Sequence, residues 1–168
     1  MAAGNTYVAI ATQTANGSTI FFDFSSIPQT YTDLVLVIGG STGDSAPFIR
    51  LNSDTSKLYS STRLRGDGSS ASSGRRVRAD GSPNDTRFEM GLGSVNEIVT
   101  NIFQIMNYSN TTTNKTVLCR ANQTSSAVTF QIGLYGSTSA ITAIRVGNTN
   151  SNNLSSGTVI SLYGIAAA

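Results

Sequence analysis

Apolar residues fall along the chain in short runs of strand length, separated by clusters of Gly, Asn, Ser and Asp. This spacing predicts a sandwich or barrel of antiparallel strands rather than βαβ units. The first run is YVAIAT, Tyr7 to Thr12. Asn16-Gly17 follows, the dipeptide that most strongly marks a hairpin. In the next run, STIFFDF, Ile20, Phe22 and Phe24 share one face, and Thr19, Phe21 and Asp23 share the other. After a turn at Pro28 comes LVLVI, apolar at every position, with Leu34, Leu36 and Ile38 on one face and Val35 and Val37 on the other. A half-exposed antiparallel strand normally alternates, so the Val35-Val37 face needs a cover.

Further strands are predicted at Phe48 to Asn52, Tyr59 to Arg65, Arg87 to Leu92, Ile98 to Tyr108, Thr116 to Asn122, Ala127 to Tyr135, Ile141 to Val146 and Thr158 to Gly164. AVTFQIGLY alternates most cleanly, with Val128, Phe130, Ile132 and Leu134 opposite Ala127, Thr129, Gln131, Gly133 and Tyr135. VNEIVTNIFQIM has some helical period, but its β-branched content favours a strand. Gly66 to Arg87 stands apart as a Gly-, Ser- and Arg-rich excursion, with room for a short edge strand around Val77. The expected fold is all-β, an antiparallel β-sandwich of jelly-roll type, in one domain spanning 1–168.

Composition narrows the chemistry. Charged residues make up 12% of the chain, about half of what is usual, and Ser, Thr, Asn and Gly supply the polarity instead. The net charge of +2 does not argue for nucleic acid, and no partner of that kind is expected. No histidine is present and Cys119 is the single cysteine. Ser-His-Asp and Cys-His catalysis, His/Cys zinc sites and an intrachain disulfide are therefore excluded. The acids lie mostly in turns and show no metal-loop spacing, so no metal, no cofactor and no enzyme activity are expected. The N-terminus lacks a secretory pattern and no run is long enough to span a bilayer; assembly in a cytoplasm without membrane insertion is expected.

Two residue groups are candidate contact sites. Six of the nine arginines fall between Arg63 and Arg87, and Arg75, Arg76 and Arg78 are candidates for ionic contacts to a partner or neighbouring subunit. Asp67, Asp80 and Asp85 in the same region favour local ion pairs as the simpler reading. Tyr59 and Tyr135, near turns, are candidate platforms for a glycan, although such tyrosines more often cap a core. The Arg65-Gly66-Asp67 tripeptide is better explained as a turn than as an adhesion motif.

Several phrases together are more specific than any single motif. YVAIATQT, FSSIPQTYTDLVLV, IRLNSDTSKLYSSTRLRGDG, IMNYSNTTTNKTVLCRAN, STSAITAIRV and GTVISLYGI occur in this order over nearly the full length. In them the chain resembles a family of small β-rich virion structural proteins of tailed bacteriophages, common in phages of aquatic bacteria. The resemblance implies a tail-fibre, accessory or decoration protein located in the virion, and it supplies no catalytic residues. A capsid-decorating or head-fibre role is favoured, because strands begin within ten residues of the start and leave no shaft. The alternative is a tail-fibre or tail-tip module that binds host-surface glycans. The expected partners are its own copies, most simply as a homotrimer joined over Val35 and Val37, and other proteins of the capsid or tail.

Overall fold

The computed structural model describes residues 6–43, 45–77, 86–93, 97–124 and 127–166. Its strands are β1 (Tyr7–Thr14), β2 (Phe21–Phe24), β3 (Asp33–Gly40), β4 (Pro47–Leu51), β5 (Tyr59–Gly66) and β6 (Ala71–Arg76), followed by β7 (Phe88–Glu89), β8 (Val99–Met106), β9 (Lys115–Gln123), β10 (Ala127–Tyr135), β11 (Ile144–Asn148) and β12 (Val159–Ile165). They form an eight-stranded sheet, β1-β12-β3-β8-β9-β10-β5-β6, and a four-stranded sheet, β2-β11-β4-β7. Every pairing is antiparallel.

The order identifies a jelly roll with two insertions. Half of the large sheet, β1-β12-β3-β8, and the whole small sheet, β2-β11-β4-β7, are the two four-stranded halves. The hairpins β5–β6 and β9–β10 follow β4 and β8 in sequence. Both join the large sheet beyond β8 and extend it by four strands.

Asn16-Gly17 is not a hairpin turn. β1 pairs with β12 and β2 pairs with β11, so the chain crosses from one sheet to the other at this point. Gly17 takes a positive φ of 85°, and the Asn16 side-chain oxygen accepts the Ser18 N–H and the Thr19 hydroxyl, each at 2.9 Å. The crossing carries Phe22 and Phe24 into the opposite wall of the core, where both are buried. The edge strand of the excursion is β6, one residue before Val77, which is itself exposed. Residues 78–85, including Arg78, lie outside the described residues.

The core lies between the two sheets. Leu34, Leu36 and Ile38 of β3 run between Phe103 and Ile105 of β8 and Ile160 and Leu162 of β12. Ile49, Leu51, Ile144 and Val146 face them from the small sheet. Each such side chain contributes about 1.5–3 kcal/mol on burial. Asn101 is buried among them, and its amide ties down the Leu92 backbone: Oδ1 accepts the Leu92 N–H at 2.7 Å and Nδ2 donates to the Leu92 carbonyl at 3.0 Å.

Tyr59 and Tyr135 belong to this core, which corrects their reading as glycan platforms. Each is 2% exposed, and their ring centroids are 4.9 Å apart. Tyr59 also meets Phe88 edge-on at 4.9 Å. Their hydroxyls are held inside the chain. Tyr59 donates to the Leu51 and Asp54 carbonyls at 3.2 Å, and Tyr135 donates to the Asp54 carboxylate at 2.5 Å. Burial pushes both phenols above their usual pKa. Neither ring has a free face to offer a sugar.

Candidate interaction surface

β10 inverts the usual alternation. Ala127, Thr129, Gln131, Gly133 and Tyr135 point inward, while Val128, Phe130, Ile132 and Leu134 are 61%, 44%, 46% and 41% exposed. The cause lies behind the strand. The inner face of the added hairpins is backed by the segment 86–93 rather than by a full sheet. That segment brings backbone groups that need partners and two bulky side chains that need room. Gln131 Oε1 accepts the Gly91 N–H at 2.5 Å. A Cβ on Gly133 would stand 2.5 Å from Phe88 Cε1 and 3.1 Å from Met90 Sδ. Small and polar residues therefore face inward, and the apolar residues of β10 face out.

The same outer face continues across the sheet. One cross-strand row reads Leu64, Phe130, Arg120, Ile102, Val37, and the next reads Thr62, Ile132, Leu118, Gln104, Val35. Leu64 is 58% exposed. In a flat sheet β1 and β10 would stand about 24 Å apart, at about 4.8 Å per strand. Yet Tyr7 of β1 and Phe130 of β10 line one small cavity of about 70 Å³. The eight-stranded sheet is thus curled, and its outer face is the inside of a trough. The main groove of the trough, about 870 Å³, runs between Leu64, Ala71 and Ser73 on one wall and Thr100 and Ile102 on the other. Val128, Phe130 and Arg120 also line it. Soluble monomers rarely leave such a contiguous apolar surface open.

Val35 and Val37 lie on this face but not at its exposed part. Val35 is 7% exposed, covered by its own sheet: Gln104 and Tyr163 stand opposite it on the neighbouring strands, and Tyr7 lines the same small cavity. Val37 is half-buried beside Ile102. The cover that LVLVI needs comes from the curl of the sheet. The largest run of exposed apolar residues on this face is that of β10, continued by Leu64 of β5, and sequence reasoning did not single it out.

The arginines divide. Arg76 is held within the chain by Glu89 of β7 at 2.8 Å, and Arg87 binds the same carboxylate at 2.7 Å. Arg76 therefore does not present a free charge to a partner. Arg75 is exposed on the outer side of β6. Arg65, Gly66 and Asp67 lead into the β5–β6 turn. There the Asp67 carboxylate accepts the Ser69 N–H at 2.9 Å, the Ser70 N–H at 2.7 Å and both hydroxyls.

The Ser70 and Ser69 N–H bonds to Asp67, with the two hydroxyls, hold its carboxyl well below the usual carboxylate range. A carboxyl with a depressed folded pKa supports its turn above the unfolded value near 3.8 and loses that support as pH falls through the folded pKa. An NMR titration is expected to leave the Ser69 and Ser70 amide signals unchanged from neutral pH down to 3.8, with movement only in stronger acid. Movement centred on the ordinary carboxylate value would show that the turn does not hold Asp67 in this way.

Among the described residues no three His, Cys, Asp or Glu side chains gather as a metal site, and no helix is long and apolar enough to cross a membrane. No protein-family model matches the chain, and no curated protein matches it. Solved structures similar to it include a mutant of the alginate lyase Aly36B in complex with alginate tetrasaccharide, at 8% identity and a TM-score of 0.31, covering 93% of this chain and 80% of that one. Another is the marine PL-14 alginate lyase from Aplysia kurodai, at 7% identity and a TM-score of 0.28, covering 84% of this chain and 72% of that one. Against the expectation that the chain is not an enzyme, the similar structures are lyases, and that expectation is withdrawn. That exclusion covered histidine, cysteine and paired-carboxylate chemistry and did not reach Tyr, Lys or Arg. Scores this low carry neither activity nor substrate to this chain.

Proposed function

We propose that the chain is a structural protein of a tailed-bacteriophage particle, a capsid-decorating or head-fibre component that joins its own copies and neighbouring virion proteins. The carrying observation is the outward stripe Val128, Phe130, Ile132 and Leu134, continued by Leu64 on β5. A strand fully formed in a sheet, with its apolar side chains facing out, supports a role in which another protein surface completes the structure. The shape bears on the symmetry. A concave trough does not fit face to face with an identical concave trough, so a convex part of a neighbouring copy is the natural occupant. Such heterologous contacts close into rings, and a trimer is the simplest small ring. The resemblance read from the sequence phrases supports the setting. The glycan-binding alternative loses its two proposed platforms, since Tyr59 and Tyr135 are core residues.

Antibody-gold labelling of purified phage particles that carry this chain tests the assignment. Label is expected over the head of mature particles. Label confined to the tail tip would overturn the head assignment, and a chain absent from purified particles would overturn the virion role.

A further inference from the structure

A second surface feature lies on the opposite face of the large sheet and is independent of the trough. A cleft of about 230 Å³ opens between the β5–β6 hairpin and β7, lined by Arg63, Arg76, Glu89 and Gln131, with Thr149 at its edge. Its charges do not balance. Glu89, the carboxylate in the lining, is shared between Arg76 and Arg87. Arg63 Nε is buried without a hydrogen-bond partner among the described residues. The sequence places Gly74 opposite Arg63 on β6, and the guanidinium lies over it, with Nη2 3.8 Å from where a Cβ would stand. The hairpin thus leaves room for a cation and supplies nothing to neutralise it. A buried N–H of a charged group without a partner is costly, and a guanidinium fork matches a carboxylate or phosphate in two parallel bonds.

We propose that this cleft is an anion-binding site, in which Arg63 takes one carboxylate or phosphate group with Arg76 beside it. The volume admits a single small anionic group rather than a polymer segment. Glu89 keeps Arg76 in place and limits the site to one such group.

Titration of the ¹⁵N-labelled full chain with sodium phosphate and, separately, sodium acetate tests this, with sodium chloride holding ionic strength constant. Saturating shifts are expected at the Arg63 Nε–H and the Gly74 amide with at least one of the two anions. Saturation by phosphate or by acetate identifies which geometry the site prefers. Arg63→Gln is expected to weaken binding by at least about tenfold. Arg145→Gln, whose guanidinium is taken up by Asp23 at 2.7 Å, leaves it unchanged. If Arg63→Gln does not fold, Arg63→Lys carries the test, since it keeps the charge and loses the fork; several-fold weakening is expected. Linear, unsaturated shifts with both anions would overturn the proposal. So would binding that survives both Arg63 substitutions.

Discussion

Replacing Phe130 and Ile132 together by Asp is expected to abolish the self-association proposed above and leave a folded monomer. Both side chains project from β10 into the trough and are 44% and 46% exposed, so the fold does not depend on burying them. Covering the remainder of each against a neighbour is worth about 2 kcal/mol at about 25 cal/mol per Å². Carrying two carboxylates into an apolar contact costs at least as much again. The two apolar contacts alone sum to about 4 kcal/mol, so association weakens by about 1,000-fold or more. Sedimentation of the variant should give the monomer mass, with circular dichroism still showing a β-protein that melts cooperatively. Association equal to wild type would remove β10 from the interface. The position suggested by the sequence, Val35, gives no such separation. It is 7% exposed and packed within its own sheet, so a charge there damages the fold before it reports on association.

Gly133→Val should produce the largest loss of stability among single changes on β10. The new side chain enters the space of Phe88 and Met90, which are 1% and 0% exposed and have no route to solvent. Overpacking of this kind typically costs 1–3 kcal/mol, and about 3 kcal/mol is expected here because two buried side chains must move. That corresponds to a fall in melting temperature of about 6–12 °C for a chain of this size. Gly39→Ala is the comparison: a Cβ there meets nothing within 4 Å, and its effect should be small. Adding Phe88→Ala to Gly133→Val should cost less than the sum of the two single changes, because the second substitution opens the space the first one needs. Additive losses would mean that Phe88 and Gly133 do not share that space.

The strands themselves were legible, and the assembly of those strands was not. LVLVI, AVTFQIGLY and the VTNIFQIM part of VNEIVTNIFQIM, Val99–Met106, each form a strand where period and β-branched content placed one. Turn clusters bounded them because Gly, Asn and Asp satisfy the backbone locally. Asn16-Gly17 shows the limit of that reasoning. The same local bonding serves a return within one sheet or a step to the other, and only the pairing of β1 with β12 decides between them. AVTFQIGLY shows a second limit. Its two faces could be listed from the sequence, but the choice of inner face depends on the segment 86–93, some forty residues away in the chain. Tyr59 and Tyr135 were misplaced for a related reason. Sitting near turns at strand ends, they are drawn inward by Phe88 and Asp54, which sequence proximity does not reveal. The excess of arginine over acid between Arg63 and Arg87 was visible, but the pairing of Arg76 with Glu89, while Arg63 Nε stays without a partner among the described residues, depends on where β7 is placed.

Sedimentation velocity of the unmodified chain at micromolar concentration tests the central claim most directly. The trough, apolar and open along β10 and β5, predicts a single boundary at three times the chain mass. A boundary at the monomer mass, holding up to tens of micromolar, would contradict it.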